Sequence, residues 1–561
     1  MKKQHTTTLT HAARHIALCT MAMITTTAAH AQMDNVVEVE NDFKPTVHDA
    51  TKINSLPEIE QVNVAHYNVD YTTTSFPTTD YAFQPMWAAH NDALLKPRKK
   101  GFVTAAYGMQ TNMMGRAQYT FDLAPHDQLT FDLSGRGYKS KVDHVDGVSP
   151  QWESRIFNTD FAATYCHWLS ATSQFTVKAQ YGTDLFNYQH LVAAPAITDK
   201  QHNDRLDLGL TLTPYSFGRF NLGADALLQT FKQKYATTFG KGNSEFMVNG
   251  ALTPGYTFNE NLSADVRLAA EYVDYSMDPL PGTDHAVKGF TSFDVTPHIY
   301  YQNELLSIKA GVFVDNDVNI APDVNITFHL TPTFDIYLMA NGGDINNDFR
   351  HFSSMTPYWQ LADHSFEMAN QYDQIRSRGG VIVKPARFLT LDLSAGYDMS
   401  EDRAELADFL LTGTTELLRM PVVFADGKHF YANADIRLDY KNIVTADLNT
   451  QYNHWTTDMK LAGVNTDPLW RPEFEADWKL AITPIKGFTI GADLLFESFK
   501  KADGRYRRDN TIDLGATIGY TLPIGLSIYA KGDNLLNKKY DHYSMYRTPG
   551  TNFLAGLAFT F

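Results

Sequence analysis

From Gly101 onward the chain is written in twos, and that constrains its fold more than anything else in it. In RLDLGLTLT, Leu206, Leu208, Leu210 and Leu212 fall on one side of an extended backbone, with Asp207, Gly209, Thr211 and Thr213 on the other. FLTLDLSAGY sets Leu389, Leu391, Leu393 and Ala395 against Thr390, Asp392, Ser394 and Gly396. GFTIGADLLF, TIDLGATIGY and the closing NFLAGLAFTF repeat the pattern. An ordinary sandwich also alternates. The length and number of these segments, about ten residues each and many in succession, match strands with one face in hydrocarbon and small polar residues turned inward.

The connections carry the same message. Short turns at 124–127, 169–173, 213–216, 257–261, 331–334, 384–387, 483–486 and 521–524 are separated by long polar connections near 139–154, 188–201, 277–290, 346–373, 401–427, 457–470 and 537–550. Short and long alternate, as tight periplasmic turns and long outer loops do. Strands drawn between them number about 22, in a range of roughly 18–22, and an even number returns both ends to the periplasm. An open sheet of that size would present unpaired edge groups to lipid, so the sheet closes. The expected fold is all-β, a closed antiparallel transmembrane β-barrel over residues 101–561 with short periplasmic turns and long extracellular loops.

The last stretch, residues 533–561, carries a specific motif: Asn534, Leu535, Asn537, Lys538 and Tyr540, a variable loop, then Pro549, Gly550, Asn552 and Phe553 leading into the final strand. This resembles the carboxy-terminal end of TonB-dependent outer-membrane receptors. The resemblance implies an outer-membrane barrel of that type in a Gram-negative bacterium, surrounded by outer-membrane lipids. It also implies that the terminal aromatics Phe559 and Phe561 act as the signal read by the barrel-assembly machinery. A complete receptor of that family carries a plug domain before its barrel, and the sequence shows no segment of that length.

Lys2, Lys3 and Arg14, an apolar run from Ile16 to Ile24 and the Ala29-His30-Ala31 site read as a secretory signal over residues 1–31. Its removal discards Cys19 and leaves Cys166 without a partner for an intramolecular disulfide. The formal charge of −16 falls to −19 without the three basic residues of the signal, an acidity that argues against nucleic acid as a partner. Residues 32–100 form an extended periplasmic or lumenal segment punctuated by Pro45, Pro57, Pro77 and Pro85. Val36, Val37 and Val39 within it resemble the short apolar box that engages TonB, and they equally fit a plain periplasmic strand.

Two outer loops are rich in apolar residues. One holds Tyr358, Trp359, Phe366 and Tyr372; the other, 401–420, holds Phe409 and Leu410, with Leu406 and Leu417 at helical spacing that predicts a short amphipathic helix. They read either as a ligand- or partner-binding cap or as aromatics packed on the barrel rim. The 20 histidines are scattered. No H-E-x-x-H, C-x-x-C, G-x-S-x-G or phosphate-cradling loop occurs, so no metal site, no cofactor and no catalytic residue is expected. Lumenal Asp207, Asp225, Asp392, Asp493 and Asp513 either pair with inward-facing Lys or Arg or bias a pore toward cations. The leading expectation is uptake of a ligand across the outer membrane. The alternatives are a structural or assembly component docking a surface or periplasmic lipoprotein, and a passive channel. A barrel of this girth without a full plug must be filled by something else, the outer loops or residues 32–100.

Overall fold

The computed structural model describes residues 99–142, 152–190, 199–234, 242–277, 287–361, 370–407, 418–461, 464–465, 470–499, 509–543 and 546–561. The main sheet has 23 strands; one of them, Trp359–Leu361, adds in parallel to the outer tip Met420–Val422, and the other 22 form the wall. Every wall strand pairs antiparallel with its neighbours in sequence. The ring closes where Gly101–Gly108, the first strand, meets Asn552–Thr560, the last, in the register Phe102↔Thr560 to Gly108↔Leu554. Phe561 extends the seam, its carbonyl accepting from the amides of Lys100 (2.8 Å) and Gly101 (3.0 Å). No backbone edge is left to lipid there, as the bilayer demands.

The alternation read in the sequence sorts the two faces as expected. Leu208, Leu393 and Ile518 stand 43%, 48% and 49% exposed on the outside, while the intervening polar residues look into the lumen. Aromatics ring the periplasmic end. Phe220 packs edge-on to Tyr256 with centroids 5.0 Å apart, and Phe388 packs likewise on Tyr440 at 5.6 Å. Such amphipathic girdles fix a barrel at the membrane interface. The short strands Leu306–Asp315, Ile320–Thr331 and Phe334–Ile345 continue the wall without a break.

Two local readings are corrected. Residues 401–406 are not helical: they continue the strand Leu389–Leu406, which is paired to Met420–Tyr440 as far as Leu406↔Val422. Of the apolar residues at helical spacing Leu406 joins the ladder, where a neighbouring strand satisfies the backbone; residues 408–417 lie outside the described residues. The turn expected at 213–216 falls later, at Gly218 and Arg219, because the strand Lys200–Phe217 runs on through an irregularity after Leu212. Gly218 takes φ +72°, a conformation L side chains avoid.

The carboxy-terminal motif has a structural basis. Asn534 (φ 48°) donates from Nδ2 to the carbonyls of Lys538 (2.7 Å) and Pro549 (3.1 Å) and accepts at Oδ1 from the Lys538 amide. Asn537 accepts from the Thr551 amide at 3.2 Å. The Tyr540 hydroxyl donates to Asp513 on the lumen wall at 2.6 Å. These bonds staple the last outer loop so that Asn552 enters the closing strand in register.

Candidate functional site

The outer mouth is crossed by residues 346–361, which leave the wall after Phe334–Ile345. Asp348 starts a single short helix, α1 (Phe349–Met355), as its N-cap, accepting from the His351 amide at 2.6 Å. The helix is anchored on the far wall. The Phe349 amide donates to Glu245 Oε2 (2.6 Å), and Asn346 donates to Glu271. Arg350 forms a two-pronged pair with Asp207, Nη1 at 2.5 Å and Nη2 at 2.9 Å. Asn347 ties the near side to the Asp402 carbonyl at 2.7 Å.

Apolar packing reinforces these polar anchors. Phe349 stacks on Trp359 (5.4 Å), Phe352 meets Trp359 edge-on (5.3 Å), and both join a buried cluster with Phe231, Val273, Tyr275 and Met420. Burying side chains of this size stabilises each by about 2–3 kcal/mol. Beside them Tyr358 lies flat on Tyr546 of the last outer loop, with centroids 3.6 Å apart and planes 5° off parallel. The Tyr546 hydroxyl donates to the Leu418 carbonyl (2.7 Å) and accepts from the Gln189 amide (3.2 Å). Segments from four outer loops thus converge on one aromatic pair, and residues 346–361 form a cap inside the mouth.

Burial pushes the Asp348 carboxyl up to about 6, with the approach of Glu271 adding to it against the opposing pull of the His351 amide and Arg350. Burial holds His351 below its ordinary range, and the charge of Arg471 pushes it the same way. The cap therefore carries two titrating groups with opposite preferences.

Next to α1 lies a cavity of about 580 Å³, within the size range of small-molecule sites. His351 and Met355 of the helix form one side; Asp373, Asp398, Arg403, Glu405 and Arg471 are among the residues of the other. Arg403 and Arg471 both lie over the Trp455 ring, 4.5 Å and 4.6 Å from its centroid. Glu405 accepts from Arg471 Nε at 2.9 Å and forms an ion pair with Arg403, whose Nε lies 3.3 Å away.

The residues singled out from sequence fall elsewhere. Tyr358 and Trp359 are buried in the aromatic core of the cap, and Tyr372 sits on the wall with its hydroxyl on the Ile320 carbonyl (2.9 Å). Phe366, Phe409, Leu410 and the valines Val36, Val37 and Val39 lie outside the described residues. The charged lining was missed: its members sit in strands far apart in sequence, and no local pattern marks them. Of the lumenal aspartates, three are partnered: Asp207 by Arg350, Asp392 by Tyr337 (2.8 Å) and Arg378, and Asp513 by Tyr540.

A barrel of 22 antiparallel strands, apolar outside and polar within, is an outer-membrane β-barrel. No protein-family model matches the sequence, and no curated protein matches it. Solved structures do match in fold. The FrpB iron transporter of Neisseria meningitidis superposes with a TM-score of 0.61 at 10% identity, over 83% of this chain and 82% of that one. The ferric enterobactin receptor PfeA of Pseudomonas aeruginosa gives 0.59 at 10%, over 82% and 80%. The siderophore receptor PiuA of Acinetobacter baumannii gives 0.59 at 10%, over 83% and 82%. The chain thus has the fold of the outer-membrane receptors that its carboxy-terminal motif resembles.

Proposed function

We propose that this chain is an outer-membrane receptor that takes up a small ligand, bound in the cavity beside α1. The observation that carries this reading is the cap. A passive channel keeps its mouth open, whereas here residues 346–361 cross the lumen, are anchored on both walls and leave a charged, pocket-sized space at their flank. Such an arrangement holds a ligand before releasing it inward. The shared fold with proteins named for iron and siderophore uptake supports the same direction. Release then needs an energised step, which TonB supplies through the segment containing Val36, Val37 and Val39.

Three measurements test this. Cells with and without the chain are compared for accumulation of radiolabelled ferric siderophores and short peptides; uptake of none of them refutes the reading. Planar-bilayer conductance of the intact barrel should be low and should rise when residues 346–361 are deleted. A large open conductance in the intact protein makes it a passive channel instead. A peptide of residues 33–43 should bind the TonB carboxy-terminal domain, and absence of binding at millimolar peptide removes the TonB step.

A further inference from the structure

Beneath the cap the chain gathers carboxylates with too little positive charge to neutralise them. Glu245, at the outer end of the strand Asn243–Thr257, and Glu271 of the strand Leu262–Met277 come together with Asp348 at the start of α1. Glu245 is 2% exposed and Asp348 6%. Glu245 Oε2 accepts from the Phe349 amide, while its Oε1 is buried with no hydrogen-bond partner among the described residues. Glu271 is held by the side-chain amides of Asn346 and Asn249. The Tyr275 hydroxyl, also buried without a partner among the described residues, faces all three carboxylates. Among the described residues the cation facing the group is Arg350, and both its terminal nitrogens are taken by Asp207. Fully ionised, the group would carry three sheltered negative charges against one cation already paired. Burial opposes that state, and so does the mutual repulsion of the carboxylates.

Burial, with the charge of Asp348 behind it, raises the Glu245 carboxyl to about 8 against the pull of the Phe349 and Arg350 amides and the Arg350 guanidinium. Opening the cap draws Asp348 and α1 away from Glu245 and returns both carboxyls to water and to their ordinary range of about 4. The closed cap thus binds protons that the open cap releases to solvent. We infer that the cap is a proton-controlled gate: Glu245 and Asp348 hold their protons while it is closed and give them up as it opens. This deepens the uptake reading, on which its role rests, because His351 and Met355 of the same helix line the cavity. Groups raised in the closed state stabilise that state fully in acid. The contribution is lost as pH rises, first through Asp348 at about 6 and then through Glu245 at about 8. Between those values the closed cap holds about one proton more than the open cap, so the open population rises about tenfold per pH unit. His351, held below its ordinary range by burial and by the charge of Arg471, works the other way in acid.

The test is hydrogen–deuterium exchange of α1 in the full-length protein in detergent micelles, scanned across neutral pH with each rate corrected for the intrinsic effect of pH. From about pH 6.5 to about 7.5 the corrected exchange of α1 should rise roughly tenfold, while amides of the wall ladder keep their rates. Glu245→Gln keeps an acceptor for the Phe349 amide and is neutral at every pH, so it should flatten that rise to less than about twofold. Asp348→Asn, whose group has already lost most of its proton in this window, should leave most of the rise in place. The parent profile needs no variant, so it stands if Glu245→Gln does not assemble. A flat parent profile, faster exchange in acid, or a full rise retained in Glu245→Gln overturns the inference. The uptake reading fails separately: this pH profile in a barrel whose cells accumulate no ligand refutes uptake and leaves the gate. Accumulation of a ligand through a barrel whose cap exchanges alike at every pH does the reverse.

Discussion

The pair between Arg350 and Asp207 is the strongest single tie across the mouth, and its removal has a size that can be worked out. Two charge-assisted bonds of 2.5 and 2.9 Å join groups whose side chains are only 18% and 22% exposed. Asp207→Asn keeps the shape and one acceptor but removes the charge and one prong. For a pair this sheltered the loss is about 2 kcal/mol, less than for a fully buried pair because solvent still reaches both groups. If the cap opens and closes while the barrel stays folded, that loss raises the open population about 30-fold. Hydrogen–deuterium exchange of the amides of α1 reads this directly: they should exchange about 30-fold faster, while amides of the wall ladder keep their rates. Arg350→Met should act alike, and the double variant should add little to either single one, since both remove the same interaction. Exchange within twofold of the parent refutes the idea that this pair latches the cap.

Because Asp348 is raised to about 6 by burial in the closed cap, its contribution is full below its ordinary carboxylate range and is lost as pH rises through about 6. Exchange of α1, corrected for the intrinsic pH effect, should therefore be slower at pH 5 than at pH 7.5. Asp348→Asn keeps the cap and should shrink that trend without reversing it, because burial also raises the Glu245 carboxyl that holds the Phe349 amide, to about 8, while His351, held below its ordinary range by burial, works against it as pH falls. Gly525 has φ +88°, and a Cβ there would stand 2.6 Å from the Thr560 carbonyl; Gly525→Ala should lower the temperature at which the barrel loses its heat-modifiable band on gels, by an effect of about 1–3 kcal/mol. Gly115→Ala, whose Cβ would meet nothing nearer than 3.8 Å, is the control that should leave it unchanged. Deleting Phe561 removes the carbonyl that accepts from Lys100 and Gly101 and the ring stacked 5.6 Å from Phe559; the folded fraction in outer membranes should drop, and an unchanged fraction counts against the assembly role of that end.

The sequence by itself determined the barrel. A period of two fixes which side of each strand meets lipid, and it is a local property, visible in runs such as Leu206 to Leu212 without knowledge of any neighbour. Turn lengths fixed the alternation of ends, and backbone hydrogen bonding in lipid required closure, so strand number followed from counting. The positions of Asn534 and Asn537 were legible too, as a motif whose reason, a loop stapled through left-handed backbone, appears only in three dimensions. What the tertiary structure decided is the mouth. Arg350 meets Asp207 across 143 positions of sequence, and Arg471 meets Glu405 across 66; no spacing rule announces either. The aromatics of 346–361 looked the same whether turned to a ligand or to one another. Packing chose the latter for Tyr358 and Trp359, because the last outer loop offered Tyr546 and the wall offered Phe231 and Val273 to bury them against. The charged cavity is what that packing leaves open beside the helix, and it exists only because the ring brings distant strands within reach of one short loop.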